Sequence, residues 1–480
     1  MTESSCSKLL ESGGPFADAL PGFAPRAAQI EMAAAVEQML AQKNSLVIEA
    51  GTGIGKTLAY LVPAILSGER VIISTGTKTL QDQLYFRDLP LVREALGQSI
   101  KPALLKGRAN YLCLHRMMMA RSEGRLPSRE AVTELESVLD WSAQTVDGDL
   151  SLAAVVSEES GLLPLVTSTA DNCLGSECPQ FDDCHVARAR REAQDADIVV
   201  VNHHLLFADM AIKQSGFGEV LPGASAFIVD EAHQAPETAS RFFSVTFSAR
   251  QVNELCRDFL AESASISGAM GSLREPVADC LQKLKEIQLA VSDHMPDRGS
   301  WQQLVSNASV RSALQNLDKS VHALAKTAED LHGRARGMDG CIDRIRELQL
   351  RLDRFDAGQA PGEVRWFEKR GRGFAIHITP LEVSSAFNEF RDKVEAAWLF
   401  TSATLAVGGD FRHFTGQMGL EDADTLLLDS PFDYPNKALM WLPDKLPEPR
   451  DPEFVPSLLN IVVPLLEASR GRAFLLFTSH

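Results

Sequence analysis

The sequence predicts an α/β fold with a parallel sheet that is interrupted by two insertions. Short apolar runs rich in β-branched residues recur, each followed by a turn or a helix-like stretch, which is typical of buried parallel strands. The runs occupy 46–50, 71–75, 198–201, 227–230, 398–401 and 474–477. We interpret the two long stretches without such runs as an insertion with cysteines and basic residues, at about 101–195, and a largely helical insertion, at about 240–375.

The second insertion has helical periodicity. Apolar residues step by three and four from Leu314 to Leu331, a glycine-rich break follows at 333–340, and the stepping resumes from Ile345 to Phe355. This pattern predicts two antiparallel helices packed along one seam.

Composition predicts a soluble globular protein, because 45% of the 480 residues are hydrophobic and the length suits two to four domains. No apolar run approaches the roughly 20 residues of a membrane span, and the N-terminus lacks the features of a secretory signal. We therefore expect a cytoplasmic protein with no membrane partner. The net charge of −17 argues against a broadly basic surface, but contact with nucleic acid needs only local positive charge.

A strand, a glycine-rich turn and a helix follow one another in LVIEAGTGIGKTLAYLVPAIL, residues 46–66. The glycines let backbone N–H groups close around phosphates, Lys56 can reach the terminal phosphates, and the Thr57 hydroxyl can hold Mg²⁺. Ala50 occupies the first glycine position of the general pattern. The predicted nucleoside triphosphate loop consists of Ala50, Gly51, Thr52, Gly53, Ile54, Gly55, Lys56 and Thr57.

The stretch AFIVDEAH, residues 226–233, is an apolar strand that ends in two carboxylates. Asp230 is placed to hold the magnesium ion, and Glu231 to orient or deprotonate the attacking water. With Lys56 these are the predicted catalytic residues. The expected reaction is hydrolysis of the γ-phosphate.

Four of the eight cysteines form a candidate metal site. Cys113 stands alone, and Cys173, Cys178 and Cys184 are separated by four and five residues, so none belongs to a CxxC pair. In a reducing compartment such a group is more often a metal or cluster site than a set of disulfides. Four thiolates can hold zinc or an iron–sulfur cluster, and thiolate chemistry alone leaves both open.

Basic residues flank these cysteines. Lys106 and Arg108 precede Cys113, and Arg188 and Arg190 follow Cys184. We predict that they contact DNA. The alternative is that they belong to solvated helix faces, the usual meaning of a charge run.

With these residues placed, the chain resembles the superfamily 2 helicases, in which two RecA-like domains hydrolyse ATP while moving on nucleic acid. Three further segments carry the resemblance: GFAPRAAQIEM at 22–32, STGTKTLQDQ at 74–83 and TSATL at 401–405. They look like the motifs that read adenine, touch the DNA backbone and couple hydrolysis to movement. The matching positions are Arg26 and Gln29 for adenine, Thr75 and Thr77 for DNA, and His233, Ser402 and Thr404 for coupling.

The cysteine pattern between LLKGRANYL and VVVNHHLLFADM looks like the bacterial DinG/YoaA branch of the XPD-like iron–sulfur helicases, nearest its YoaA members. The resemblance implies a [4Fe–4S] cluster held by Cys113, Cys173, Cys178 and Cys184. It identifies the helical insertion with the family's arch domain and implies 5′ to 3′ movement on single-stranded DNA. It further implies DNA junctions as substrates and replication or repair proteins as partners.

Together these inferences predict a RecA-like motor domain with an inserted iron–sulfur domain and an inserted helical arch domain, plus the start of a second RecA-like domain. The predicted boundaries are 1–100, 196–240 and 376–405 for the three parts of the first motor domain, 101–195 for the iron–sulfur domain, 241–375 for the arch domain and 406–480 for the start of the second motor domain.

The last residues depart from the resemblance. FLLFTSH, 474–480, is similar to the first strand of the second motor domain, and the later motif with a glutamine and paired arginines has no match. We therefore expect the chain alone to bind ATP but to show little DNA-stimulated hydrolysis. A motor-deficient regulatory protein that binds ATP and DNA is the alternative, although intact Lys56, Asp230 and Glu231 favour a helicase.

Overall fold

The computed structural model describes most of the chain. The described residues are 5–20, 22–123, 126, 128–153, 156–157, 160–169, 172–214, 220–264, 266–356, 362–371, 373–380 and 382–476. They belong to two compact units, Met1–Ser430 and Pro431–His480, and each is described by itself.

The strands are β1 Ser45–Ala50, β2 Val71–Thr75, β3 Pro102–Leu104, β4 Ile198–Asn202, β5 Ala226–Asp230, β6 Val245–Ser248, β7 Arg298–Ser300, β8 Glu363–Arg370, β9 Gly373–Pro380, β10 Ala397–Ser402 and β11 Asp424–Leu428. The α-helices are α1 Ser5–Leu9, α2 Pro15–Ala19, α3 Ala27–Gln42, α4 Lys56–Leu66, α5 Lys78–Gln83, α6 Leu89–Leu96, α7 Leu114–Glu123, α8 Arg129–Ser142, α9 Leu163–Val166, α10 His185–Gln194, α11 His203–Gln214, α12 Ala235–Phe242, α13 Ala249–Ser263, α14 Ala269–His294, α15 Trp301–Ser306, α16 Ala308–Glu329, α17 Arg336–Asp356, α18 Ser384–Lys393, α19 Arg412–Met418, α20 Tyr434–Lys437 and α21 Phe454–Ala468.

A seven-stranded sheet forms the centre of the first unit, in the order β11, β1, β10, β5, β2, β4, β3. Every adjacent pair runs parallel. Five of the six predicted apolar runs are strands of this sheet, and every residue of β2 is buried. Strands covered on both faces have no polar face, so their sequences are continuous apolar runs. The predicted α/β fold with a parallel sheet is confirmed.

Two hydrophobic cores lie on opposite faces of this sheet, because successive strand side chains alternate between the faces. One core joins Ile48 of β1 and Ile73 of β2 to α3 and α4. The other joins Val47 and Ile72 to α11 and α18. Both faces are thus covered, and the carboxyl edge of the sheet is the place where the strands deliver functional side chains.

The helical insertion lies between β5 and β10 in the sequence and has its own core. The two predicted antiparallel helices correspond to α16 and α17, and Arg346 of α17 pairs with Glu329 of α16 at 2.7 Å. The insertion also contains a four-stranded antiparallel sheet in the order β6, β9, β8, β7. Sequence patterning missed this sheet because β8, EVRWFEKR, carries charged residues along most of its length.

Two predicted boundaries differ from the structure. The boundary at 375 falls inside β9, which pairs with β6 and β8 and therefore belongs to the insertion up to Pro380. The boundary at 405 is also too early. β11 pairs in parallel with β1 and completes the large sheet, and the first unit ends at Ser430. Parallel pairing with a strand near the N-terminus cannot be read from local sequence.

The predicted strand at 474–477 is not present in the part that the structure describes. Residues 474–476 have no regular secondary structure and are largely exposed, and Phe477 lies outside the described residues. An apolar run becomes a strand only where another strand pairs with it. No strand pairs with 474–476 in the described part of the chain.

The cysteine-containing insertion between β3 and β4 has short helices, α7 to α10, and its described residues include a small core of eight buried side chains. Among the residues that the structure describes, no helix combines the length and the apolar character needed to cross a membrane.

Candidate nucleotide site and cysteine site

The predicted phosphate loop connects β1 to α4 at the carboxyl edge of the large sheet. Gly53 and Gly55 both have a φ of 88°, a left-handed conformation that strongly favours glycine. A Cβ atom at Gly55 would lie only 2.3 Å from Nε2 of Gln29. The loop therefore requires glycine and leads directly into a helix N-terminus at Lys56, an arrangement suited to phosphate.

The two predicted adenine-reading residues border this loop. Gln29 in the first turn of α3 is buried, and its Nε2 donates to the carbonyl oxygen of Gly55 at 3.0 Å. The Arg26 guanidinium points to the same place, 3.7 Å from the position that a Gly55 Cβ would take. Helix α3 thus brings both side chains to the phosphate loop.

The predicted acid pair stands at the end of β5, opposite Lys56. Nζ of Lys56 lies 3.5 Å from Oε1 of Glu231, which has a left-handed φ of 55°. Desolvation and then the charge of Glu231 raise the pKa of Asp230 to about 6, although Lys56 acts in the opposite direction. The lysine and both acids form one site.

Ser402 connects Glu231 to the segment predicted to couple hydrolysis to movement. It lies at the end of β10, next to β5, and its hydroxyl donates to Oε2 of Glu231 at 3.2 Å. Nδ1 of His233 lies 2.8 Å from the same hydroxyl. The amide of Thr404 is 3.5 Å from Ser402 Oγ, while its side chain is exposed. Ser402 and His233 therefore both contact Glu231, the predicted catalytic acid.

The four predicted cysteine ligands come together in the first insertion. Cys113 immediately precedes α7, and Cys184 immediately precedes α10. Burial raises the pKa of both Cys113 and Cys178, and neighbouring thiols act in the same direction: Cys173 and Cys178 on Cys113, and Cys173 and Cys184 on Cys178. Burial and the neighbouring sulfur atoms thus disfavour loss of the proton from these thiols. A bound cation or cluster would favour the thiolate form instead.

Comparison with known proteins agrees with these sites. The family model for DEAD/DEAH box helicases matches residues 29–108. The chain is 42% identical over 478 residues to an ATP-dependent DNA helicase YoaA of Haemophilus influenzae, covering 100% of this chain and 75% of the relative. It is 43% identical to the YoaA of Escherichia coli, covering 97% and 73%. It is 32% identical to an ATP-dependent helicase DinG of Mycobacterium tuberculosis, covering 95% and 72%.

The chain belongs to the DinG/YoaA helicases. It spans about three quarters of the length of the YoaA of H. influenzae. The DinG/YoaA branch inferred from the motifs is thereby confirmed, and so is the preference for its YoaA members.

The structure places one of the two predicted DNA-contacting threonines of this DinG/YoaA helicase differently from expectation. Thr75 is 1% exposed, and its hydroxyl donates to the carbonyl oxygen of Thr77 at 3.2 Å. Its side chain is therefore unsuitable for contact with DNA. Thr77 is exposed and caps α5 by accepting from the amide of Leu80 at 3.2 Å. Its contact with DNA stays a prediction.

Lys106 does not have the exposed position that a DNA contact needs. It is 2% exposed, and its Nζ lies 2.8 Å from Asp82 and 2.7 Å from Asp149. It also donates to the hydroxyl of Ser151 at 2.9 Å. The lysine joins the helix after β2 to the cysteine-containing insertion. The prediction was wrong because a charge run in sequence does not reveal which side chains become buried.

The three predicted arginines lie near the cysteines and are partly buried. Arg190 has a pKa lowered first by burial and then by the nearby charge of Arg108, while Cys173 and Cys184 oppose this. Arg108 donates to the carbonyl oxygen of Thr169 at 3.5 Å. Arg188, with a side chain 35% exposed, lies 2.9 Å from Nδ1 of His185. Arg190 therefore places positive charge near Cys173 and Cys184.

Tyr60 was missed at the nucleotide site. It lies in α4, one turn after Thr57, and its hydroxyl donates to Oδ2 of Asp230 at 3.1 Å. The sequence offers only a tyrosine in an otherwise apolar helix, which is typical of a core position. Its partner is 170 positions away, so no local signal could reveal the contact.

Glu49 is a second missed residue. It precedes the phosphate loop in β1, and its Oε2 accepts hydrogen bonds from the amides of Leu405 and Ala406, both at 2.6 Å. The carboxylate thus fastens the strand of the phosphate loop to the segment after Ser402. The sequence signal that could have pointed to Glu49 is a charged residue inside an otherwise apolar strand.

Proposed function

We propose that this protein is an ATP-dependent DNA helicase that moves 5′ to 3′ on single-stranded DNA and opens junctions with duplex DNA. The observation that carries the proposal is the continuous set of contacts from Lys56 through Glu231 to Ser402 and His233. It joins a phosphate-binding lysine and a catalytic acid to the segment that follows the neighbouring strand. A protein that only binds nucleotide has no need of this connection.

The chain's own residues have distinct parts in this reaction. Backbone N–H groups of the loop and the Lys56 ammonium would bind the phosphates, and the buried Gln29, whose Oε1 accepts no hydrogen bond from the described residues, would orient the base. Thr57 and Asp230 would hold Mg²⁺, which neutralises the charge that develops on the phosphates. Glu231 would orient the attacking water and accept its proton. Ser402 and His233, both in contact with Glu231, would couple ATP hydrolysis to movement of the rest of the motor domain.

We also propose that Cys113, Cys173, Cys178 and Cys184 hold a [4Fe–4S] cluster. The cysteine pattern that resembles the iron–sulfur helicases supports a cluster rather than zinc, and two of the thiols stand at helix N-termini, where negative charge is stabilised. The cluster would cross-link an insertion that has only a small core. Residues 101–195 would then form the iron–sulfur domain, and the helical insertion that follows β5 would form the arch domain.

The remaining proposals rest on family membership. The relatives are named DNA helicases, so we infer single-stranded DNA and DNA junctions as substrates. A role in replication or repair, with partners among such proteins, and a cytoplasmic location follow from that inference.

The test measures ATP hydrolysis by the purified chain under anaerobic conditions, with and without excess single-stranded DNA, beside Lys56→Ala. The result is the ratio of the hydrolysis rate with DNA to the rate without DNA. We expect DNA to stimulate hydrolysis and Lys56→Ala to abolish the stimulation. Tailed duplexes then test direction: unwinding from a 5′ tail and not from a 3′ tail is expected. ATP binding without any DNA-stimulated hydrolysis would favour the motor-deficient regulator.

Metal analysis tests the cluster separately. About four irons per chain and a broad absorbance near 400 nm are expected for a cubane. One zinc per chain without iron would contradict the assignment.

A further inference from the structure

The hydroxyl of Tyr60 contacts one of the two side chains that would hold Mg²⁺. Tyr60 is 1% exposed, and its ring packs in the core between α3, α4 and the sheet. Its hydroxyl donates to Oδ2 of Asp230 at 3.1 Å. One buried hydroxyl is therefore bound to a predicted metal-holding carboxylate.

These contacts determine the direction of the Asp230 carboxylate. Oδ1 accepts from the amide of Glu231 at 3.0 Å, and Oδ2 accepts from Tyr60. With one donor on each oxygen, rotation of the carboxylate would break at least one hydrogen bond. A carboxylate whose two oxygens each accept a hydrogen bond is oriented before any ligand binds. This reduces the free-energy cost of ordering the carboxylate on binding.

Tyr60 also stands beside the other predicted metal-holding residue, Thr57, in the same helix. Thr57 and Tyr60 are three positions apart in α4 and therefore lie on the same side of the helix. Tyr60 reaches from this side across to the end of β5. The helix that carries the phosphate loop and the strand that carries the acid pair are thus connected at the metal position through a single side chain.

We propose that Tyr60 is a positioning residue that aligns the Asp230 carboxylate for Mg²⁺ bound with nucleotide. This inference rests on the proposed function, since it assumes that Mg²⁺ and nucleotide bind at this site. Its consequence is specific. The part of nucleotide affinity that depends on Mg²⁺ requires the Tyr60 hydroxyl, while the part supplied by the loop amides and Lys56 does not.

The variant that separates positioning from packing is Tyr60→Phe, which keeps the buried ring and removes only the hydroxyl. Binding of a fluorescent ADP analogue is titrated with Mg²⁺ and, separately, measured in EDTA. We expect the Mg²⁺ concentration for half-maximal enhancement to rise about tenfold, as for loss of a hydrogen bond to a charged group. Affinity in EDTA and the thermal unfolding midpoint in EDTA should change little.

Tyr111→Phe is the matched control. Tyr111 is also buried, but its hydroxyl accepts from the amide of Lys106 at 3.1 Å and has no contact with the acid pair among the described residues. Its Mg²⁺ dependence should equal that of the unmodified chain. In an Asp230→Asn background, Tyr60→Phe should cause no further change in Mg²⁺ dependence, because the carboxylate through which it acts is gone.

A measurement on the unmodified sequence covers the case in which Tyr60→Phe does not fold. The chain has four tyrosines, so 3-fluorotyrosine labelling gives four ¹⁹F resonances, and Tyr60 is assigned by elimination with single Phe variants of the other three. The Tyr60 resonance should shift when Mg²⁺ is added to the ADP complex and much less when ADP is added alone.

Unchanged Mg²⁺ dependence in Tyr60→Phe, or a Tyr60 resonance that ignores Mg²⁺, would overturn the inference while leaving the proposed function intact. Failure of the unmodified chain to bind ADP, or binding that Mg²⁺ does not enhance, would instead overturn the proposed function and the inference with it.

Discussion

The nucleotide site and the cysteine site are built from different kinds of structure. The nucleotide site stands at the ends of β1, β5 and β10, and its side chains contact one another within 3.5 Å. The cysteine site lies on loops and at the starts of short helices, beside a core of eight buried residues. Regular backbone therefore prepares the first site before its ligand binds. The second is supported by a smaller core, by the buried contacts of Lys106 and by short helices, so we expect it to depend more strongly on what its thiols bind.

The largest effect is expected from Cys113→Ser. It should lose most of the bound iron and make residues 101–195 sensitive to protease, because the ligand that closes the site is gone. Nucleotide affinity should stay within about twofold, since the sheet supports that site independently. Iron analysis, limited proteolysis and nucleotide titration measure the three effects, with Cys6→Ala, a buried cysteine outside the site, as the control. A Cys113→Ser protein with full iron content would show that the fourth ligand is another residue.

Glu231→Gln should act only on the nucleotide site. We expect DNA-stimulated hydrolysis to fall about 10²- to 10⁴-fold, the usual contribution of a positioned general base, with ATP affinity and iron content retained. Steady-state hydrolysis and nucleotide titration check this. The control is Glu237→Gln, because Glu237 is an exposed carboxylate on the adjoining helix that pairs only with Arg241 among the described residues. Equal losses in both variants would contradict the assigned role.

Lys106→Met tests the connection between the two regions. It removes a buried charge and leaves Asp149, with a side chain only 6% exposed, without its partner. We expect the free energy of unfolding to fall by about 3 kcal/mol, the lower end for a broken buried pair because Asp82 is 31% exposed. Urea denaturation measures the loss, and Lys101→Met at an exposed position is the control. A change below about 0.5 kcal/mol would mean that the pair is solvated in solution.

Glu49→Gln should weaken the connection within the nucleotide site. A neutral amide oxygen can still accept from the amides of Leu405 and Ala406, but less strongly than a carboxylate. We expect DNA-stimulated hydrolysis to fall about fivefold, equivalent to about 1 kcal/mol, with unchanged ATP affinity. Exposed Glu31→Gln is the control. A loss of ATP affinity without a change in turnover would place Glu49 in binding instead of coupling.

The smallest effect concerns DNA contact beside the cysteines. Arg188→Gln should flatten the log–log dependence of single-stranded DNA affinity on salt by about 0.7, the value for one phosphate contact. Fluorescence anisotropy at several salt concentrations measures the slope. Arg241→Gln, an exposed arginine on α12, should leave it unchanged. An unaltered slope in Arg188→Gln would remove Arg188 from the proposed DNA contact.

The sequence by itself determined the features that depend on contiguous residues. The apolar runs of β1, β2, β4, β5 and β10, the glycine-rich loop before Lys56 and the acids after β5 are each set by neighbouring residues and by requirements of backbone conformation. For the same reason the motif spacing was enough to identify the helicase family, which the relatives confirm.

Only the tertiary structure decided which side chains became buried and what they contacted. Lys106 meets Asp149 across the first insertion, Tyr60 reaches Asp230 over 170 positions, and Glu49 accepts from Leu405 over 356 positions. It also assigned β11 to the first sheet, beside β1. A charged or aromatic residue has the same local pattern whether it is solvated, buried or bound to a partner. Its role is determined by groups that chain folding brings near, and a single sequence does not encode that proximity locally.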